Sequence, residues 1–143
     1  MQLLLMFALF AYTIQSLRYI GDIESVAVSG QVFCNGRSAE QVKVSIEAEK
    51  YPYGSLEIAS TVTNENGAFL IYARDSNVTI IIPKVYFSHT CNCPGGCYKK
   101  FGIPIPESYI TILYENTLQP QYDIGIVDLN VNYLETYTFC LRK

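Results

Sequence analysis

Apolar and polar residues alternate along most of this chain with a period of two. In "SVAVSGQVF", Val26, Val28, Gly30 and Val32 share one parity. In "VKVSIEAE", Val42, Val44, Ile46 and Ala48 face one way, and Lys43, Ser45, Glu47 and Glu49 the other. Such alternation predicts strands with one buried and one wet face. "LEIASTVT" repeats the pattern and predicts Leu56, Ile58 and Val62 on one side. "AFLIYA", "YDIGIVDLNV" and "YLETYTFCLR" are further strands, while "VTIIIPKVYF" is more uniformly apolar, as in a strand covered on both faces. Pro83 marks an edge, a bulge or a break in it. Turn signals separate the strands: Asn35-Gly36, "YPYG" and "NENG". The two prolines of "FGIPIPESYITI" disfavour a helix there, and no long stretch has helical periodicity. Seven or eight short strands with turns between them predict an all-β antiparallel sandwich.

The exception to the alternation is the start of the chain. Residues 3–14 are apolar apart from Thr13 and the Tyr12 hydroxyl, and no charged side chain precedes Arg18. Twelve residues are too few for a bilayer-spanning helix, which takes about 20. The length fits the hydrophobic region of a secretory signal, with Ser16 as the small residue before cleavage. Residues 1–16 are therefore read as a leader and 17–143 as one domain, which is expected to be soluble and extracellular. Its size, roughly 125 residues, buries about two-thirds of the unfolded surface. Ten basic and 13 acidic side chains give a net charge of −3, which argues against nucleic acid as a partner.

Several segments fall in a familiar order. "SVAVSGQVFCNGRSAEQVKVSIEAE", "TNENGAFLI", "PKVYFSHTC", "IPIPESYI", "YDIGIVDL" and the late Cys140 together resemble the nematode transthyretin-like family over nearly the whole mature chain. The chain departs from the family pattern in "KYPYGS", where an acidic loop is usual, in the extra Cys93, and in a short tail past Cys140. The resemblance implies a transthyretin-like (immunoglobulin-like) sandwich of about seven strands. It also implies secretion and a non-enzymatic role in binding and signalling between cells or with a host, through an unknown extracellular protein or cell-surface ligand and with no cofactor. A small-ligand carrier built as an oligomer is the alternative. 5-Hydroxyisourate hydrolases share the fold, but they use several histidines and a C-terminal Tyr-Arg-Gly-Ser, whereas this chain has one histidine and ends "CLRK".

The chemistry-bearing stretch is "HTCNCPGGCYKK" at 89–100. In an oxidising compartment five cysteines read as a disulfide framework with one thiol left over. Cys34, Cys91, Cys97 and Cys140 match the family pattern, and four cysteines allow three connectivities. Pro94, Gly95 and Gly96 make a local Cys91–Cys97 bridge sterically easy. Cys34–Cys140 would then constrain the unfolded chain by roughly 4–5 kcal/mol. Cys93 is the odd thiol: free, linked to another chain, or competing with Cys91 for Cys97. His89, Cys91, Cys93 and Cys97 have ligand types suited to zinc or copper, but oxidation removes the thiolates, so no metal is expected. A catalytic His89 would need a nucleophile and an orienting group beside it.

Three further candidates complete the reading. Asn77 heads an Asn-Val-Thr glycosylation sequon. Tyr51 and Tyr53 form an exposed aromatic loop of the kind found at interfaces. Lys99 and Lys100 make a small basic spot able to meet phosphate headgroups.

Overall fold

The computed structural model describes residues 24–50, 54–75, 83–112, 121–133 and 135–142. The proposed leader, Tyr51, Tyr53 and Asn77 lie outside these residues. The described residues form ten strands: β1 (Glu24–Cys34), β2 (Arg37–Ser38), β3 (Lys43–Lys50), β4 (Gly54–Val62), β5 (Ala68–Asp75), β6 (Lys84–His89), β7 (Cys97–Pro104), β8 (Thr111–Ile112), β9 (Gln121–Asp128) and β10 (Tyr137–Cys140). They pack as two five-stranded sheets, an all-β sandwich. Of the proline-rich segment, Glu107–Tyr109 makes a single 3-10 turn.

In the first sheet β1 is central. β5 and β2 follow one another along one edge, and β8 and β9 along the other. The sandwich is not wholly antiparallel as expected, because β9 runs parallel to β1. Parallel partners need a long connection, and here most of the chain separates the two strands. A register shift opposite Ser29 and Gln31 breaks the ladder, with Gly125 at φ +80 where the extra residue enters.

The second sheet has the order β10-β7-β6-β3-β4. The predicted inward residues, Val42 just before β3 and Val44, Ile46 and Ala48 on it, are all buried, but so is Ser45 on the supposedly wet face. Ser45 pairs with Tyr86, which in turn pairs with Gly102. A Cβ at Gly102 would lie 2.7 Å from the Tyr86 ring, so glycine lets that ring lie across the sheet. Lys100 then sits over Tyr86, 4.8 Å from the ring centroid, and bonds both oxygens of Glu47 at 3.0 and 3.1 Å.

β4 corrects a second expectation. Leu56, Ile58 and Val62 do not share a face, because a bulge at Ile58 shifts the register between Ile46 and Glu47. Beyond the bulge the parity reverses, and Ala59 and Thr61 oppose the buried Ile46 and Val44 while Val62 is 59% exposed. The segment around Pro83 also differs from its prediction. β6 alternates, with Val85, Phe87 and His89 buried and Lys84, Tyr86 and Ser88 only half-buried.

An aromatic row joins the sheets. Phe69 of β5 meets Phe87 of β6 edge-on at 5.6 Å, Phe87 stacks on Phe101 of β7 at 5.3 Å, and Phe101 stacks on Tyr133 at 4.2 Å. At the "NENG" turn, the Asn64 side chain accepts hydrogen bonds from the N–H groups of Asn66 and Ala68. Gly67 has φ +72, and its carbonyl accepts from Val32 N–H at 2.8 Å. A Cβ there would run into the Val32 carbonyl oxygen. Gly67→Ala is therefore expected to lower stability by more than about 2 kcal/mol, the sum of left-handed strain and a backbone clash. Gly36→Ala, with φ +74 but open space around its Cβ, is expected to cost only about 1 kcal/mol. Urea midpoints at unchanged m-value test the pair.

Candidate functional site

One end of the sandwich gathers most of the residues singled out from the sequence. Asn35 and Gly36, at φ 53 and 74, turn the chain between β1 and β2. Two positive φ values in succession are the signature of a type I′ hairpin, which explains the Asn-Gly pair. A second loop, 90–96, leaves β6 and makes two tight turns, Cys93 N–H to Thr90 C=O and Cys97 N–H to Pro94 C=O. A third turn follows β9, where Asn130 N–H donates to the Asp128 side chain.

Three asparagines tie these loops together. Asn130 Oδ1 accepts from Asn35 N–H at 2.7 Å, and Asn35 Oδ1 accepts from both Asn130 Nδ2 (2.7 Å) and Asn92 Nδ2 (3.1 Å). Asn35 Nδ2 donates to Asn92 Oδ1 at 2.9 Å. The sequence reading found the Asn35 turn but not this cluster, since its members are 57 and 95 residues apart.

Two disulfides fix the same end, with a connectivity that overturns the expected one. Cys34 pairs with Cys91, not Cys140, and Cys97 pairs with Cys140, not Cys91. The local bridge looked easy because only the loop was considered. Register decides instead: Cys97 lies inside β7 directly opposite Cys140 of β10, with Cα atoms 4.1 Å apart. The end of β1 comes to 5.9 Å from Cys91 as the sheets pack. Cys34–Cys91 thus staples one sheet to the other, and Cys97–Cys140 holds the edge strand. Cys93 keeps a half-buried thiol whose Sγ lies 3.4 Å from the Cys91 carbonyl. The same parity of His89, Cys91 and Cys93 does not persist past the end of β6. Among the described residues no group of histidine, cysteine and carboxylate side chains could hold a metal ion.

His89 is only 6% exposed and packs edge-on against Phe101 at 5.9 Å. Its Nδ1 accepts from Cys91 N–H at 3.1 Å, which assigns the proton of the neutral ring to Nε2. That Nε2–H has no hydrogen-bond partner among the described residues. Burial, and secondarily the charge of Lys99, hold its pKa below the ordinary 6.5. The native state therefore resists protonation while the unfolded chain does not. Stability should be full above about pH 6.5, fall as pH drops toward the lowered native value, and stay level below it. In thermal melts between pH 7.5 and pH 5, His89→Gln should flatten that slope.

Lys99 and Lys100 do not form one basic spot. Lys99 shares the inward face with its partner His89, and Lys100 is on the outward face with Glu47. The outward face carries a patch that the sequence reading missed: Tyr98 stacks on Phe139 at 5.1 Å, beside exposed Tyr137. Its sequence signal was the alternation in "YTFC", legible only once β10 is set against β7.

At this end opens a cleft of about 380 Å³. His89, Thr90, Val42, Leu129, Tyr98 and the Cys34–Cys91 bridge are among its lining. No helix among the described residues is long and apolar enough to cross a membrane.

Comparison with known proteins supplies the context. Residues 29–106 match the profile of the transthyretin-like family. The chain is 35% identical to transthyretin-like protein 5 of Caenorhabditis elegans over 90% of its own length and 91% of the relative's. It is 27% identical to transthyretin-like protein 2 of the same organism, over 91% of each chain. Transthyretin-like protein 46 is 28% identical over 74% of this chain and 60% of that protein.

Proposed function

The chain belongs to the nematode transthyretin-like family, and from that premise we propose that it is a secreted, non-catalytic binding protein acting in signalling between cells or with a host. Its contact surface is the loop end of the sandwich. The observation that carries this reading is the clamp on three exposed loops: the sheet-to-sheet Cys34–Cys91 bridge and the cluster of Asn35, Asn92 and Asn130. Loops held by a rigid sandwich are where binding residues concentrate, and fixing them before contact removes ordering costs. The two disulfides are consistent with an extracellular location. The chain's one histidine bonds to backbone through Nδ1, and no nucleophilic side chain is bonded to its ring among the described residues.

The test uses labelled protein secreted from eukaryotic cells and applied to dissociated nematode cells. Saturable binding should weaken about tenfold with Arg37→Glu plus Val131→Arg, both exposed at the loop end and outside the cleft lining. Binding that survives these changes but is lost with Tyr98→Ser plus Phe139→Ser would move the contact to the β7–β10 face. Turnover of 5-hydroxyisourate by the same preparation would contradict the non-catalytic reading.

A further inference from the structure

The cleft holds a donor that the loop-end reading does not use. His89 lines it, almost fully buried, with Nδ1 bonded to Cys91 N–H and Nε2–H without a partner among the described residues. Buried polar groups are nearly always satisfied, so such an orphan calls for an explanation. Lys99 stands directly opposite His89 in the β6–β7 register, on the same face. Lys43, Lys84 and Lys100 pair with Glu57, Glu135 and Glu47, whereas Lys99 has no acidic partner among the described residues. His89 thus borders a wall made by Val42, Leu129 and the Cys34–Cys91 bridge, and the charge of Lys99, itself outside the lining, acts on its ring.

That combination suits one ligand chemistry: a carboxylate on a small apolar body. The carboxylate accepts charge-assisted hydrogen bonds, and the apolar body covers the wall. About 380 Å³ falls within the usual range of small-ligand sites. Glu40, exposed on the lining, repels a carboxylate on its own side and so directs it toward His89. We propose that the cleft binds a small apolar carboxylic acid, its carboxylate on His89 Nε2–H in the field of Lys99 and its tail against Val42, Leu129 and the disulfide. The proposal rests on reading the chain as a binding protein, and it places a small-molecule site within a single chain, with no oligomeric channel.

His89 is the chain's one histidine, so its imidazole gives one set of nitrogen signals by NMR. The probe is octanoate, and the control is 1-octanol, equal in length but uncharged. Octanoate should shift the Nε2 signal saturably and raise the His89 pKa, because an adjacent anion favours the imidazolium. Lys99, Tyr98, Glu40 and the Cys93 thiol are the other titrating groups around the ring, and Lys99→Met isolates the largest of them. Octanol should bind about tenfold more weakly or worse. His89→Phe should weaken octanoate by at least about tenfold, and His89→Gln, which keeps a donor, by less. Melting curves verify that each variant is folded.

Imidazole signals that do not move with millimolar octanoate would overturn the proposal. So would equal binding of octanol, or unchanged octanoate binding by folded His89→Phe. None of these results touches the loop-tip experiment above, so the small-ligand site and the extracellular contact fail or stand separately.

Discussion

Removing the Cys34–Cys91 bridge with paired Cys34→Ala and Cys91→Ala changes is expected to lower stability by about 4 kcal/mol. The bridge closes a loop of 57 residues, and the chain-entropy account gives about that much for a loop of this size. Applied to Cys97–Cys140, with a separation of 43, the same account gives nearly the same figure, because the dependence on length is logarithmic. The two losses should nevertheless differ in place. Without Cys34–Cys91 the loops at this end lose their staple, and amide exchange should quicken in the 90–96 loop and at the Asn35 turn. Without Cys97–Cys140 it should quicken in β10, an edge strand whose four residues are all exposed. Denaturant melts read the magnitude and hydrogen exchange reads the place. Equal exchange patterns in the two variants would contradict the separate roles.

The second large effect is in the aromatic row. Phe87 is fully buried and touches Phe69 of the opposite sheet and Phe101 of the neighbouring strand. Phe87→Ala should cost about 3–5 kcal/mol, since it loses both the transfer energy and the packing around the hole it leaves. Phe87→Leu keeps most of the volume and should cost less than about 1.5 kcal/mol. Domains of this kind are stable by only about 5–15 kcal/mol in total, so Phe87→Ala should melt well below the parent. A small effect would mean that the row is not the centre of the core.

The strands were legible because alternation is a local property. Val26, Val28 and Val32 on β1, and Val44 and Ile46 on β3, are buried as their parity requires. What failed depends on neighbours that the local pattern cannot see. The bulge at Ile58 reverses the parity of β4, and Tyr86 over Gly102 covers a face that the charges around Ser45 marked as wet. The parallel β1–β9 pair and the asparagine cluster join residues far apart in the chain, and spacing carries no information about them.

The cysteines show the same limit. "CNCPGGC" has the flexible residues for a local bridge, yet residue 97 already belongs to a strand whose partner brings Cys140 opposite it. Counting left one odd thiol and the family resemblance marked it as Cys93, but only the sheets could pair the other four. The site was legible to a similar degree. His89, Cys91 and Asn35 were each noticed for a different reason, and the fold places them at one end of the sandwich.

The most direct measurement is a tryptic map of the secreted protein under non-reducing conditions. Cleavage at Arg37, Lys84, Lys99, Lys100 and Arg142 puts Cys34, the three clustered cysteines and Cys140 on separate peptides. The account predicts that the 85–99 peptide is cross-linked to both of the others. Fragmentation at the Cys93–Pro94 bond should then place Cys34 on the Cys91 side and Cys140 on the Cys97 side. A map in which 85–99 is closed on itself, and the Cys34 and Cys140 peptides are joined to each other, would contradict the staple between the sheets and the loop end built on it.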